Sequence, residues 1–491
     1  MIYSKREHIN INVTLRLLGL LLCIEAAFML VPTITCVVYG EYYDFYRFLI
    51  SVGITAGVGL LMVAFTSQNN NSMGRREGFL LTALTWIFFS LFGALPFYLC
   101  EIGLSIPEAI FESSSGITTT GASVISDVEG CSHGILIWRA VTHLIGGMGI
   151  ILFTLAVIPM LNKQSGVQLF NAEVTGITHD KVRPRISHTA KCLWAVYIVL
   201  SVSLAVFLWL GPVNFFEAIC QSLSTISTGG FSTRNASIEG FNSDYVKIVI
   251  SVYMLLAGIN FALLFNLAIG KGQALFKNDT FRWYIAIVFF AFLFIVVDLF
   301  INGEYTDIKT LIVDTFFQVT SAITSTGFTG SHFTLWKGAS IIILVLLMLV
   351  GSCAGSTAGG LKIDRLMIII KNAKNELYKI LHPNTVMPLR ANGKIISPEL
   401  ITKTGALLMI FLIINVIGSS ILICYGFDTF DALFACISCT SNNGLGYGVT
   451  ASNFASIPDV PKIIMSFFMI VGRLEVFTII IIFTKAFWNK E

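Results

Sequence analysis

Long apolar runs that carry almost no charge constrain this chain most. Several stretches extend for roughly 20 residues, the length that crosses the hydrocarbon core of a bilayer, for example 285–300, 407–425 and 463–485. Only 12% of the 491 residues are charged, against about 25% in soluble domains. Because a helix satisfies its own backbone hydrogen bonds in lipid, the sequence predicts an all-α polytopic membrane protein in a lipid bilayer.

The positions of Lys and Arg predict how the chain crosses the membrane. Of the 31 basic residues, 23 fall in one alternating set of loops that includes both termini. The positive-inside rule therefore places both termini in the cytoplasm. Ten apolar runs can be counted, starting near residues 15, 47, 79, 135, 191, 247, 281, 337, 403 and 462. An even number of spans agrees with this topology, and a net charge of +3 gives no reason to expect a nucleic-acid partner.

Four segments repeat one pattern of residue types. They read PEAIFESSSGITTTGAS, FFEAICQSLSTISTGGFS, VDTFFQVTSAITSTGFT and FDALFACISCTSNNGLG. Aligned on one glycine each, they share an acid thirteen residues earlier and a serine six residues earlier. The glycines are Gly121, Gly230, Gly327 and Gly444, the acids are Glu108, Glu217, Asp314 and Asp431, and the serines are Ser115, Ser224, Ser321 and Ser438. The shared register predicts four pseudo-repeats.

Each repeated segment predicts a short helix followed by extended chain. An acid favours the N-terminal end of a helix, and about ten apolar residues are too few to span a bilayer. The polar residues that follow are tolerated at membrane depth only where they are buried in protein or line water. Four such segments around one axis would direct carbonyl oxygens and negative helix ends at a cation. The alternative is that these segments are Ser/Thr-rich outer loops with helix caps.

The predicted fold is therefore four helix–pore loop–helix repeats around a central cation pore, preceded by a two-helix hairpin. The corresponding divisions are 1–72 for the N-terminal transmembrane hairpin, 73–165 for repeat 1, 166–275 for repeat 2, 276–395 for repeat 3 with an intramembrane gate loop, and 396–491 for repeat 4.

Several motifs together resemble the Trk/Ktr/HKT superfamily of cation transporters, over essentially the whole chain. SGITTTGAS, STGGFS and TSTGFT look like the first three filters of that family, and SNNGLG resembles its fourth. The additional N-terminal hairpin points to the TrkH branch. So do GGMG at 146–149, HPNTVMPLRANGK at 382–394 and GRLEVFT at 472–478. In the fourth filter, Ser441 stands where the family pattern has Asn.

The resemblance implies potassium uptake across a bacterial inner membrane. It implies a homodimer that binds a cytoplasmic nucleotide-binding regulatory subunit resembling TrkA. Potassium would be the transported substrate, with no cofactor. The residues expected to bind it are Thr119, Thr120, Gly121, Thr228, Gly229, Gly230, Ser325, Thr326, Gly327, Asn442, Asn443 and Gly444. Glycine at the reference position of all four filters favours potassium over sodium.

Two features predict a gate below the filter. The eighth apolar run is interrupted by GSCAGSTAGGL, whose glycines break a helix. A cation inside the last run, Arg473, must face water or a partner. The predicted gate residues are Gly351, Gly355, Gly359, Gly360 and Arg473. The alternatives are a close-packed small-residue helix contact for the loop, and for Arg473 an ion pair with Glu475 or a bond to a helix-terminal carbonyl.

Two other functional classes were weighed against a gated pore. No HExxH, GxSxG or Walker A motif occurs, so the sequence predicts that the chain is not an enzyme. A sodium- or proton-coupled symporter built on the same pore remains an alternative, because the sequence alone does not separate it from a gated channel.

Overall fold

The computed structural model describes residues 9–66, 74–157, 186–336, 339–385 and 387–488. The first two helices, Ile11–Tyr39 and Tyr42–Ala64, form the predicted N-terminal hairpin. They approach closely where Gly19 and Gly59 face each other. A β-carbon on Gly19 would lie 2.6 Å from the carbonyl oxygen of Gly59. Small residues allow such close contact between membrane helices.

Four short helices lie at the places of the four repeated segments, and we call them pore helices one to four. They have 12 to 16 residues, too few to cross a bilayer. Their bounds are Ile106–Ile117, Phe215–Ile226, Ile308–Ile323 and Thr429–Thr440. Side chains beside the first turn satisfy free backbone amides. Asn214 accepts from the amide of Glu217, Asp307 from the amides of Lys309 and Thr310, and Asp428 from that of Phe430.

The third pore helix differs from the sequence-based expectation at its start. The repeated acid was expected to begin each helix, but this helix begins at Ile308 with Asp307 as its cap. Asp314 therefore lies beyond the first turn, where it accepts a hydrogen bond from Lys247 at 2.7 Å. The acid keeps its place in the register with a different role, because the longer helix has its own capping residue.

Further helices, most of them longer, flank the pore helices. They are Arg75–Gly93, Leu95–Leu99 and His133–Val157 in the first repeat; Ile186–Leu210, Asp244–Ala257 and Phe261–Ala268 in the second; Asp279–Ile301, Ala339–Val350 and Ile363–Leu381 in the third; and Pro398–Cys424, Asp459–Arg473 and Phe477–Ile480 in the fourth. The remaining elements are helices Gln273–Phe276 and Lys485–Trp488, the 3-10 turns Glu239–Phe241, Phe333–Leu335, Gly448–Thr450 and Ile481–Phe483, and the antiparallel strands Arg390–Ala391 and Lys394–Ile395.

In the part of the chain that the structure describes, six helices are long and apolar enough to cross a membrane, and two sharply bent helix pairs raise the number to eight. His133–Val157 and the 12-residue helix Ala339–Val350 occupy the two remaining places in the predicted series of ten. The sequence predicted one interruption, after Val350. The structure adds bends of 103° after Ala257 and 106° after Arg473. The second half of the first bent pair is capped by Asn260, which accepts from the amides of two following residues.

Ion pairs connect neighbouring repeats near the starts of the pore helices. Lys247, on the second repeat, lies 2.7 Å from Asp314 of the third pore helix. Lys462, on the fourth repeat, lies 2.9 Å from Glu108 of the first. The Lys247 and Asp314 side chains are only 12% and 7% exposed, so water screens this pair poorly. The repeated acids therefore join each of two pore helices to the preceding repeat around the ring.

Removing one partner of the Lys247–Asp314 pair should destabilise the fold. Lys247→Met leaves a buried carboxylate without its cation, which costs about 3 kcal/mol of unfolding free energy. Lys309→Met is the matched control, because its partner Asp244 is 45% exposed, and exposed pairs contribute about 1 kcal/mol or less. Thermal unfolding of both variants in detergent measures the difference. Equal losses of stability would contradict the linking role of Lys247.

Candidate ion-conduction site

The chain after each pore helix follows the same unusual backbone path. Two residues before each reference glycine, a residue with a side chain has a positive φ: 54° at Thr119, 55° at Thr228, 50° at Ser325 and 53° at Asn442. The glycines themselves have φ values of 85°, 84°, 77° and 81°. Left-handed backbone is costly for residues other than glycine. Because positive φ recurs at the same position in all four repeats, this backbone conformation is a defined part of the fold and not an irregular loop.

The repeated serines explain how this conformation is held. The carbonyl oxygen of each serine accepts a hydrogen bond from the amide of the residue just before the reference glycine. The four bonds run from Thr120 to Ser115 at 2.8 Å, from Gly229 to Ser224 at 2.8 Å, from Thr326 to Ser321 at 3.0 Å and from Asn443 to Ser438 at 2.8 Å. The last turn of each pore helix therefore fixes the start of the extended chain that follows it.

The four reference glycines close a ring, which we call the glycine ring. A β-carbon on Gly121 would collide with the carbonyl oxygen of Gly229 in the second repeat. The same contact recurs around the ring, because the glycine of each repeat faces the carbonyl before the glycine of the next. The further pairs are Gly230 with Thr326, Gly327 with Asn443, and Gly444 with Thr120. The backbone carbonyl groups of all four repeats therefore lie so close to the neighbouring glycines that no side chain fits between them.

Two asparagines of the fourth repeat join this ring to its neighbours. Asn442 Nδ2 donates to Thr120 Oγ1 of the first repeat at 3.0 Å and to the carbonyl of Met469 at 2.8 Å. Asn443 Nδ2 donates to the carbonyl of Ala322, at the end of the third pore helix, at 2.8 Å. The fourth segment therefore replaces the threonines of the other segments with amides that reach both adjacent repeats.

A buried ion pair supports the first two repeats from behind. Arg139 is 3% exposed, and its Nε lies 2.9 Å from Glu112 Oε1 in the middle of the first pore helix. Its Nη1 donates to the carbonyl of Ser232, just after the second filter, at 2.7 Å. The carboxylate of Glu112 also accepts from Ser123 and Val124, beyond the first filter. Arg139 was counted among the loop charges in the sequence, but burial and these partners make it part of the filter support.

Position 229 requires a glycine for a steric reason. A β-carbon there would collide with the imidazole ring of His143. The ring stacks on Phe231 with centroids 4.3 Å apart, and its Nδ1 lies 3.1 Å from Ser224 Oγ. No role was predicted for His143. In the structure it fills the space beside the second filter that a side chain at position 229 would otherwise occupy.

The predicted gate loop lies directly against the ends of three filters. Thr357 Oγ1 donates to the carbonyl of Ile226 at 3.0 Å and accepts from Thr228 Oγ1 at 3.3 Å. The amide of Gly359 donates to Ser325 Oγ, and a β-carbon on Gly359 would collide with the Ser441 carbonyl oxygen. The second, third and fourth repeats are therefore all in contact with this loop.

The other predicted gate glycines shape the loop rather than touch the filters. Gly351, Gly355 and Gly360 have φ values of 68°, 78° and 76°. Gly351 packs on Gly359 and Gly360, whereas Gly355 packs on Asn260 at the bend of the second repeat. Asn260 Nδ2 donates to the carbonyl of Ala354 at 2.8 Å. Asn260 was not singled out in the sequence, although its place after Gly258 in an apolar run was a detectable helix-breaking signal.

Arg473 joins the gate loop to the first repeat. Its Nη1 donates to the carbonyl of Thr357 at 2.7 Å, and its Nη2 donates to the carbonyl of Gly146 at 2.8 Å. Glu475, a candidate partner of Arg473 in the sequence, forms an ion pair with Arg365. Arg473 ends its helix and is followed by two residues, Glu475 and Val476, with positive φ. Thr357 also accepts a hydrogen bond from Thr228, so the bend places the cationic side chain of Arg473 close to the filter of the second repeat.

The segments beyond the filters are also tied together. The amide of Val128 donates to Asn235 Oδ1 at 2.6 Å, and Asn235 Nδ2 donates to Asp127 at 3.1 Å. The hydrogen bond from Asn235 lowers the pKa of Asp127, so this carboxylate stays charged. Arg234 lies 2.7 Å from Glu217 of the second pore helix. The first and second repeats are thus also in contact in the segments that follow their filters.

The comparisons with known proteins agree with this geometry. A family model described as "TrkH: Cation transport protein" matches residues 47–490. The Trk system potassium uptake protein TrkH of Escherichia coli K12 is 34% identical over 478 residues, which are 97% of this chain and 99% of the relative. The protein of the same name from Halomonas elongata is 33% identical, over 98% and 100% of the two chains. The chain belongs to the TrkH family.

A solved TrkH structure has the same fold. The crystal structure of the potassium transporter TrkH from Vibrio parahaemolyticus matches with a TM-score of 0.89 and 30% identity, covering 98% of this chain and 100% of that one. The predicted fold class and the resemblance to the TrkH branch are both confirmed.

The contact between Gly229 and His143 can be tested by coupling the two positions. Gly229→Ala should cost about 1–3 kcal/mol of unfolding free energy, because overpacking displaces the imidazole. In a His143→Ala background the same substitution should cost much less, since the ring is gone. Gly57→Ala is the control, because a β-carbon there meets no atom within 4 Å. An equal cost of Gly229→Ala in both backgrounds, measured by thermal unfolding, would contradict the contact.

Proposed function

We propose that this TrkH family member conducts potassium into the cell through the glycine ring. The single observation that supports this most is the closure of the ring, in which each reference glycine faces a carbonyl of the next repeat. Rings of backbone carbonyls replace the hydration shell of potassium in selective filters. The relatives named above are potassium uptake proteins of Trk systems. The binding positions are the twelve filter residues that the sequence predicted.

The pore helices supply the electrostatic part of this proposal. The C-terminal ends of four helices, at Ile117, Ile226, Ile323 and Thr440, lead directly into the four filters. Each helix end carries a partial negative charge of roughly half an elementary charge. Four such ends near one axis favour a monovalent cation without any acidic side chain in the filter. The charged residues nearby, Glu112 and Arg139, neutralise each other behind the filter.

We further propose that the gate loop and Arg473 obstruct the pore on the other side of the filters. The loop contacts filter residues of three repeats, and Arg473 bonds to its Thr357 carbonyl. Conduction then requires the loop to move away from Thr228 and Ser325. A homodimer with a cytoplasmic nucleotide-binding regulatory subunit would control this movement. The distribution of basic residues in the sequence supports a cytoplasmic location for both termini and for that subunit.

Sodium- or proton-coupled symport through the same pore is the alternative. Potassium flux into liposomes, measured with and without an imposed sodium or proton gradient, separates the two. A channel needs only the potassium gradient, whereas a symporter accumulates potassium against its gradient when the coupling ion flows inward.

Filter selectivity is the primary test of the proposed function. Gly121→Ser places a side chain against the Gly229 carbonyl, in a backbone with φ of 85°, and should therefore weaken the preference for potassium over sodium. Gly103→Ser is the control, since Gly103 also has a positive φ but lies in a loop, with its nearest neighbouring atom 3.6 Å from the added β-carbon. Relative potassium and sodium fluxes are compared in liposomes. An unchanged ratio in folded Gly121→Ser would exclude the glycine ring as the selectivity filter.

The role of Arg473 is tested by removing its charge and then restoring it. A cation roughly 6 Å from one fixed positive charge faces about 3 kcal/mol at an effective dielectric constant of about 20. This barrier corresponds to a rate factor of about 100, which pore water reduces. Arg473→Ala should raise basal potassium flux, whereas Arg473→Lys should keep most of the barrier. If Arg473→Ala folds normally and conducts no more than the parent, Arg473 is not an electrostatic gate.

A further inference from the structure

A carboxyl group is fully buried between the N-terminal hairpin and the first pore repeat. Glu25, on the first helix, has no exposed surface. Within the described residues, neither of its oxygens has a hydrogen-bond partner. A charged side chain inside a membrane is unfavourable unless it faces water or a partner. Glu25 has a different environment from every other acid discussed above.

The pocket around Glu25 contains one further unpartnered polar group. A β-carbon on Gly93 would lie 3.1 Å from Glu25 Oε1 and 2.7 Å from Ser113 Oγ, so both oxygens border the same face of Gly93. Ser113 belongs to the first pore helix, and its hydroxyl is also buried without a hydrogen-bond partner in the described part of the chain. Trp138 closes the pocket, and its Nε1 donates to the Gly93 carbonyl at 3.1 Å.

Among the described residues, no cation faces this pocket from the elements packed around it. The first helix packs against Tyr42–Ala64, Arg75–Gly93 and His133–Val157. Most of their ionisable side chains are engaged elsewhere: Asp44 with Ser132, Arg47 with Tyr43, Glu77 with Asn10, His133 with Glu41, Arg139 with Glu112 and His143 with Ser224. Tyr42, Tyr43 and Tyr46 are exposed. Arg76 lies about 25 Å along its helix from Gly93.

The remaining ionisable groups nearby are also accounted for. On the first helix itself, Arg16 donates to the carbonyl of Thr66. On the first pore helix, Glu108 pairs with Lys462 and Glu112 with Arg139. The thiols of Cys23 and Cys36 carry no positive charge. An ionised Glu25 would therefore be a buried anion without compensation, which is the least favourable state for such a group.

We propose that Glu25 is a proton-binding site. Its carboxyl group holds a proton in the folded protein at neutral pH, and the protonated group shares the pocket with the Ser113 hydroxyl. A neutral carboxyl avoids the cost of burying a charge, so it needs no cation in this pocket. Binding consists only of association of a proton with the carboxylate.

The location of the site gives proton binding a structural consequence. Ser113 lies on the pore helix that ends at Ile117, four residues before Gly121. Loss of the proton at alkaline pH would put a negative charge between this helix and the hairpin. The stability that the neutral carboxyl confers is complete only below the pH at which a glutamate titrates in the unfolded chain, and it is lost progressively as pH rises from there to the titration of Glu25 in the folded protein. Proton occupancy therefore controls how firmly the hairpin holds the first pore helix.

Infrared difference spectroscopy of the full-length protein tests the protonation state without relying on transport. The parent-minus-Glu25→Gln spectrum at pH 7 should contain the carbonyl band of a protonated carboxylic acid. Ser113→Ala should shift the frequency of that band. Glu101→Gln is the control, because Glu101 is exposed and its difference spectrum should contain carboxylate bands. Carboxylate bands in the Glu25 difference spectrum would overturn the proposal.

Unfolding equilibria provide the second measurement. Between the pH at which a glutamate titrates in the unfolded chain and the pH at which Glu25 titrates in the folded protein, the unfolding constant of the parent should rise about tenfold per pH unit relative to that of Glu25→Gln, and at higher pH the ratio should level off. A constant ratio up to the highest pH at which the protein remains folded, together with carboxylate bands at pH 7, would mean that Glu25 carries no proton. Failure of Glu25→Gln to fold while Glu101→Gln folds would also overturn the proposal, since a neutral side chain of the same shape should be tolerated. None of these readouts depends on the proposed conduction of potassium.

Discussion

The contact between a glycine and the carbonyl group of the next repeat is the interaction on which this structure depends. It occurs four times, and each time the two chains meet without space for a β-carbon. A closed ring of this kind requires four pore helices that end at the same depth, and the four serine carbonyls that accept from the filter amides provide that common end. The capping side chains and the ion pairs of the repeated acids then fix the other ends of the same helices.

Strained backbone in the ring is balanced by dense support behind it. Residues with side chains adopt positive φ in all four filters, a conformation that persists only where the surroundings determine it. The Glu112–Arg139 pair supports two filters, His143 fills the space beside the second, and Asn442 and Asn443 bind the fourth to both neighbours. These groups are polar, yet they are buried and bonded to one another or to backbone, so the filter backbone is positioned without exposing a charge to it.

Below the ring, the three later repeats depart from continuous helices. Breaks after Ala257, Val350 and Arg473 bring irregular chain towards the filter, where backbone groups bond to the gate loop and to Arg473. Each break is stabilised locally, by the cap of Asn260, by glycines of positive φ or by the Arg365–Glu475 pair. Chain held by hydrogen bonds and glycine turns can be displaced more readily than packed helices, which is consistent with the gate proposed for this loop. The first repeat instead keeps an unbroken helix that carries Arg139 and His143.

The sequence by itself determined the membrane environment, the four-fold register and the positions of the four reference glycines, because apolar run length and residue periodicity are local properties. It also located the break after Val350, since clustered glycines break a helix wherever they occur. Only the tertiary structure decided which residues meet. Arg139 was taken for a loop charge, Asp314 for a helix start, and His143 was assigned no role, because the partners of all three lie on elements distant in sequence. The absence of a cation beside Glu25 depends in the same way on how separate helices pack, which no local pattern records.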